Sequence, residues 1–151
     1  MGTPIHIVAA AQGDYEWCAG VMASSEPWIT LRRDLEECRA ALVRPGAELF
    51  VARDNDLPAG FILLAPYGLA GSPYIASIAV AAKARGQGVG SQLLRFAEEH
   101  FAGRGHIFLL VSSFNHRAQD FYRRYGYEFV GELKDYITPG QSEFILHKRL
   151  A

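Results

Sequence analysis

Three glycines fall within five residues in Arg85-Gly86-Gln87-Gly88-Val89-Gly90, between the apolar run Ile75 to Val80 and a helical stripe of Val89, Leu93, Ala97 and Phe101. Strand, glycine loop and helix N-terminus in that order make an anion cradle. The first helical turn has unpaired backbone N–H groups and a partial positive charge, and glycines remove the side chains that would hold an anion away. The segment therefore demands a β-α unit and predicts a phosphate-bearing ligand at its junction. Two common phosphate patterns are excluded. The dinucleotide spacing G-x-G-x-x-G, begun at Gly86, would put its third glycine on Ser91, and no Gly-Lys-Ser or Gly-Lys-Thr occurs in the chain.

A second motif follows the apolar run Ile107 to Val111. In Asn115-His116-Arg117-Ala118-Gln119-Asp120-Phe121-Tyr122-Arg123-Arg124-Tyr125-Gly126-Tyr127, the residues Ala118, Phe121, Tyr122 and Tyr125 recur at i, i+3, i+4 and i+7. Asn115 suits an N-cap and Gly126 a helix stop. An amphipathic helix explains Phe121 and Tyr125 as core residues, and Tyr122 has that reading as well. The pair of motifs carries more. Arg85-x-x-Gly88-x-Gly90 and N-x-x-A-x-x-F-Y-x-x-x-G-Y, about 25 residues apart with a strand between, resemble the acyl-CoA loop and the following helix of the GNAT (GCN5-related N-acetyltransferase) family.

The rest of the chain is consistent with that resemblance. Thr3 to Ala9 reads as a strand, Asp14 opens a helix with stripe Tyr15, Cys18, Val21 and Met22, and Thr30 is the expected N-cap of a second helix with Leu31, Leu35, Cys38 and Leu42 on one face. Glu48 to Arg53 and Ala59 to Ala65 form a hairpin pair turned at Asp54-Asn55-Asp56, followed by a strand from Tyr74 to Val80. Helices from about Gly88 to Phe101 and Asn115 to Tyr125 flank the strand Ile107 to Ser112, and strands Phe129 to Leu133 and Glu143 to Lys148 end the chain. The order β-α-α-β-β-β-α-β-α-β-β is an α/β arrangement with a mixed sheet. It resembles the GNAT acyl-CoA N-acyltransferase fold over nearly the full length, as a single domain spanning residues 1–151.

Bulk properties restrict partners. A net charge of −1, with the charges well mixed, argues against nucleic acid or an anionic membrane as the main partner, since both reward a dense basic surface. Lys83 and Arg85 flank the glycine loop, while Arg117, Arg123 and Arg124 fit either phosphate contact or a solvated helix face. Residues 57–82 carry no charge, but Pro58, Pro66 and Pro73 with Gly60, Gly68 and Gly71 break any membrane helix and leave two buried strands. Cys18 and Cys38 read as buried thiols, and neither they nor the five histidines show metal-ligand spacing, so no metal is expected. Nothing at the N-terminus resembles a secretory signal, which points to the cytoplasm.

The resemblance implies attack of a primary amine on the thioester of acetyl-CoA, with the amine carried by a small molecule or by a peptide or protein. Backbone N–H groups of Gln87, Gly88, Val89, Gly90 and Ser91 would bind the pyrophosphate, with Arg85 and Gly86 shaping the loop. Ile78, Ala79 and Val80 would pair with the pantetheine arm as an added strand, between two strands that diverge in the family, and a strand N–H would polarise the thioester carbonyl. Asn115 and Ala118 would border that arm. Tyr122, by carry-over of the family's tyrosine, would protonate the leaving thiolate. An ordinary tyrosine near 10 against a thiol near 8.5 makes full transfer uphill by only ~2 kcal/mol.

The base is not assigned by sequence. Relatives that acetylate protein N-termini carry a glutamate five residues ahead of the asparagine, and that position here is Leu110. Glu26, Glu48 and Asp135 are candidates, each with an alternative role as a surface or turn carboxylate, and water held by backbone carbonyls is a further one. Deprotonating a lysine amine at neutral pH costs ~4 to 5 kcal/mol and an α-amine ~1, so a weak base favours α-amines and other low-pKa amines. Trp28 and Tyr136 are candidate walls of the acceptor site, or packing residues. A domain of the same fold that holds acyl-CoA without turnover is the alternative function, and either a monomer or a homodimer is compatible.

Overall fold

From Ala59 to Ala65 the chain reads Ala-Gly-Phe-Ile-Leu-Leu-Ala without a polar residue, and a strand with no polar face must be covered on both sides. The computed structural model, which describes residues 4–151, places this run in the middle of a seven-stranded sheet. The elements are β1 (Ile5–Ala9), α1 (Asp14–Ala23), α2 (Leu35–Leu42), β2 (Glu48–Asp54), β3 (Leu57–Leu69), β4 (Ser72–Val80), a 3-10 turn (Ala82–Ala84), α3 (Val89–His100), β5 (His106–Ser112), α4 (His116–Arg124), β6 (Glu128–Leu133) and β7 (Glu143–Arg149). Thr3, expected in the first strand, lies outside the described residues.

The strand order is β1-β2-β3-β4-β5-β7-β6. Every neighbouring pair is antiparallel except β4 and β5. Alternation along β3 sends Ile62 and Leu64 into one core with Leu93 and Leu94 of α3 and Ile107 and Leu109 of β5. Phe61 and Leu63 enter the other core, with Cys18 and Met22 of α1 and Cys38 and Leu42 of α2. Both cysteines are buried free thiols, and among the described residues no helix is long and apolar enough to cross a membrane.

Two local features set up the functional region. Leu63 of β3 pairs with Ser77 while Leu64 pairs with Ile75, so Ala76 is an extra residue in β4, and such a bulge bends and twists the strand that carries it. Beyond it, at Gly60, β3 and β4 approach so closely that an added Cβ would lie 2.8 Å from the Ala79 carbonyl oxygen.

One boundary differs from the expectation. The second helix starts at Leu35, with Asp34 rather than Thr30 as its cap. Asp34 Oδ1 accepts from the Glu37 N–H at 2.8 Å and Glu37 Oε1 accepts from the Asp34 N–H at 3.2 Å, a reciprocal capping box that Thr30 has no glutamate to form. Thr30 instead donates its N–H and its hydroxyl to Glu26, at 2.9 and 2.7 Å. Leu31 remains buried, as its place on the apolar stripe predicts.

Candidate active site

The parallel ladder between β4 and β5 has two residue pairs, Tyr74 with Phe108 and Ile75 with Leu109. Both lie before the bulge. Past it the strands part, and Ser77 to Val80 have no ladder partner on the β5 side. The gap opens into a cleft of about 910 Å³, lined on one wall by Ile78, Ala79 and Val80 and on the other by Leu110, Val111 and Ser112. A strand end with unpaired groups is an edge that an extended amide-bearing ligand can join.

At the mouth of this cleft lies the glycine loop. Gly86 and Gly88 have φ of +79° and +81°, a left-handed conformation that costs other residues roughly 1–2 kcal/mol, and Gly88 forms the N-cap of α3. The first backbone bond into this helix is Gln92 N–H to Gly88 C=O at 3.1 Å. Among the described residues the five N–H groups from Gln87 to Ser91 therefore find no backbone acceptor, the arrangement that binds anions at helix N-termini. Arg85 Nε donates to the Val80 carbonyl at 3.3 Å, tying the loop to the end of β4. The Gln87 side chain turns back to the Lys83 carbonyl and is not in the cleft wall. Arg85, Gly86, Gly88, Val89, Gly90 and Ser91 do line it, joined by Arg117 and Arg124 of α4. Arg123 instead pairs with Asp120 on the surface.

The second motif sits across from the loop. Asn115 caps α4, its Oδ1 accepting from Ala118 N–H at 3.3 Å, and both residues line the cleft. Ser91 Oγ and the Tyr125 hydroxyl are hydrogen-bonded, locking α3 to α4. The Tyr122 ring is buried between Phe121 and Tyr127, with centroid separations of 5.3 and 5.9 Å. No hydrogen bond holds its hydroxyl among the described residues, and the only sealed side-chain polar atom without a partner there is Asp54 Oδ1. The Tyr122 hydroxyl therefore opens on the cleft that the residue lines. Burial, with the nearby Tyr74, pushes its proton affinity above that of an ordinary tyrosine, so it stays protonated at neutral pH.

The far end of the cleft is formed by the loop that follows α1 and by the β6–β7 connection. Trp28, Ile29, Leu31 and Ile137 line it; Tyr136 is 60% exposed and lies outside the wall. Of the three carboxylates considered as a base, Glu26 lines the cleft but has both oxygens engaged by Thr30. Glu48 lies 3.1 Å from His100 and Asp135 accepts from Gly140 N–H, both outside the wall.

The sequence reading passed over three residues here. Glu143 is 3% exposed, lines the cleft, and accepts a 2.7 Å hydrogen bond from Ser112 Oγ. Burial raises its carboxyl above the usual carboxylate range, partly offset by that bond. Tyr74 also lines the cleft, and burial pushes its hydroxyl up to about 12, with Tyr136 and Glu143 adding to the shift and Arg44 opposing it. The available signal was Glu143 itself, an acid placed directly before the apolar run Phe144-Ile145-Leu146.

Comparison with known proteins places this geometry. No curated protein sequence is similar enough to count as a match. Among solved structures, a GNAT-family protein from Desulfovibrio desulfuricans superposes with a TM-score of 0.81 at 20% identity, covering 98% of this chain and 100% of that one. An aminoglycoside 6'-N-acetyltransferase complexed with coenzyme A gives 0.76 at 16% identity, covering 97% of each chain. NAA60 from Arabidopsis thaliana, in complex with a bisubstrate analogue, gives 0.78 at 13%, covering 97% and 98%. The family model for the acetyltransferase (GNAT) family matches residues 11–127, which takes in the glycine loop and the Asn115–Tyr127 motif. The chain belongs to the GNAT family of acetyltransferases.

Proposed function

We propose that this protein transfers an acetyl group from acetyl-CoA to a primary amine by direct attack. The observation that carries the reading is the row of free N–H groups from Gln87 to Ser91 at the mouth of a split sheet whose interior presents the Tyr122 hydroxyl. Phosphates fit the loop, with Arg85, Arg117 and Arg124 beside it. An extended pantetheine arm fits the open edge of β4 from Ser77 to Val80, bordered by Asn115 and Ala118. The coenzyme A held by the aminoglycoside acetyltransferase of the same fold supports this assignment.

In the reaction the amine nitrogen bonds to the acetyl carbon, an N–H of β4 stabilises charge on the carbonyl oxygen, and the carbon–sulfur bond breaks. The sulfur takes its proton from Tyr122. Burial makes Tyr122 a weaker acid than usual, but a thiolate released into the same apolar gap is destabilised as well, so the proton still moves between partners of comparable affinity. A domain that only held acyl-CoA would have no use for an unbonded hydroxyl at this point. Trp28 and, from the rim, Tyr136 border the acceptor. The free thiols of Cys18 and Cys38 support a reducing compartment, the cytoplasm. Residues 1–151 act as a single domain in this mechanism, since Glu143 of β7 lines the same cleft as the glycine loop.

Calorimetric titration with acetyl-CoA, ATP and NAD, followed by thiol-release assays with spermidine, kanamycin, an N-terminal peptide and a lysine peptide, tests the proposal. Acetyl-CoA is expected to bind and at least one amine to release CoA. Tight ATP or NAD binding with no acetyl-CoA binding overturns it.

A further inference from the structure

We infer that Glu143 receives the acceptor amine: its free carboxylate oxygen pairs with the incoming ammonium and then takes the proton that the nitrogen must lose. This rests on the acetyl-transfer reading and adds the base and the charge of the substrate. Ser112 and Glu143 are directly opposite in the β5–β7 ladder. Their neighbour Val111 points into the core beneath α3 and α4, so by alternation the pair faces the other side of the sheet, where Tyr74 also lies. Tyr122 approaches the gap from the α4 side. Acid and base thus reach the split in the sheet from opposite faces, which a transfer with separate proton donor and acceptor requires.

Three observations separate Glu143 from an ordinary buried carboxylate. Ser112 Oγ occupies Oε2, while Oε1 has no partner and yet is not a sealed atom among the described residues, so it opens on the cleft. None of the ion pairs among the described residues includes Glu143, and a buried charge without a counter-charge is disfavoured until a cation arrives. The other cleft carboxylate, Glu26, has no free oxygen. Groups facing Glu143 are Ser112 on β5, Tyr74 on β4 and, through Tyr74, Tyr136 and Arg44. One free oxygen against the apolar walls of Trp28, Leu31 and Ile137 selects a single primary ammonium on an apolar or aromatic shoulder. Oε1 takes one proton from the ammonium before the N–C bond forms, which frees the lone pair for attack; the second nitrogen proton leaves to water in the open cleft as the C–S bond breaks, the sulfur takes one from Tyr122, and water restores both groups.

The test compares wild type with Glu143→Gln, which keeps the shape and the Ser112 bond, using whichever of spermidine, kanamycin, the N-terminal peptide or the lysine peptide reacts fastest. At pH 7 the variant is expected to lose on the order of 10²-fold in kcat/KM, with acetyl-CoA affinity within about twofold of wild type. Above pH 7 and below the pKa of the amine used, its kcat/KM should climb by up to about tenfold per pH unit, as free amine replaces ammonium in solution, while wild type stays flat. A variant equal to wild type at pH 7, or with a parallel pH profile, overturns the role of Glu143 and leaves acetyl transfer standing. Wild type that binds acetyl-CoA but acetylates none of the four amines also overturns it. Wild type that binds no acetyl-CoA overturns the parent reading.

Discussion

Ser112 Oγ donates a 2.7 Å hydrogen bond to Glu143 Oε2 across the β5–β7 ladder. The bond favours the ionised carboxyl and works against burial, which favours the protonated one. Ser112→Ala therefore raises the carboxyl's proton affinity further. The acidic limb of the pH–rate profile should move to higher pH, with activity reduced on that limb and nearly intact on its alkaline side. A uniform loss across pH would mean that Ser112 acts only in packing.

Stability should respond to the same carboxyl in the opposite sense to activity. Burial places the folded-state pKa of Glu143 above its unfolded value, so its contribution is fully present below the ordinary glutamate range and is lost as pH rises through the folded value. Glu143→Gln removes that loss. By calorimetry the variant should melt higher than wild type near pH 7.5, with the difference gone near pH 4, even though it is impaired in catalysis. A variant less stable at both pH values would contradict the assignment of an uncompensated charge.

The loop can be tested with a matched pair of glycines. Gly88 and Gly71 have φ of +81° and +83°, and an added Cβ meets nothing within 4 Å at either. Alanine at each should cost about 1–2 kcal/mol through backbone strain alone. Only Gly88→Ala re-aims the N–H groups of the cradle, and it should weaken acetyl-CoA binding on the order of tenfold while Gly71→Ala leaves it unchanged. Equal effects on affinity would remove the loop from the binding site.

Gly60 tests the link between sheet geometry and the cleft. A Cβ there lies 2.8 Å from the Ala79 carbonyl oxygen and 3.2 Å from Leu93 Cδ1 and Val89 Cγ1. The side chains can rotate but the carbonyl cannot leave its strand, so Gly60→Ala should cost about 1–3 kcal/mol. It should also weaken acetyl-CoA binding, because relief requires β4 to move at the cleft wall. An unchanged melting temperature would contradict the close approach.

What the sequence disclosed was what depends on local backbone chemistry. The glycine loop was legible because φ > 0 and free N–H groups are properties of a few consecutive residues, and the α4 motif because its stripe and cap are local as well. The start of α2 was also written locally, in Asp34-x-x-Glu37, but Thr30 offered a competing cap and only the capping box decided between them. The splay of β4 from β5 was carried by resemblance alone, since it depends on Ala76 being left unmatched between Leu63 and Leu64, a register between strands. Glu143 was passed over for the same reason. Its company of Ser112 and Tyr74 comes from residues 31 and 69 positions away, and the one local sign is the apolar run Phe144-Ile145-Leu146 that follows it.

The central claim is that the cleft performs chemistry on an acyl-CoA bound there. Its most direct test is Tyr122→Phe, measured as steady-state thiol release at saturating acetyl-CoA together with acetyl-CoA affinity. The account predicts a loss of turnover on the order of 10²-fold or more, with affinity within about twofold of wild type, because only the proton donor is removed from an otherwise intact wall. Turnover equal to wild type would contradict it.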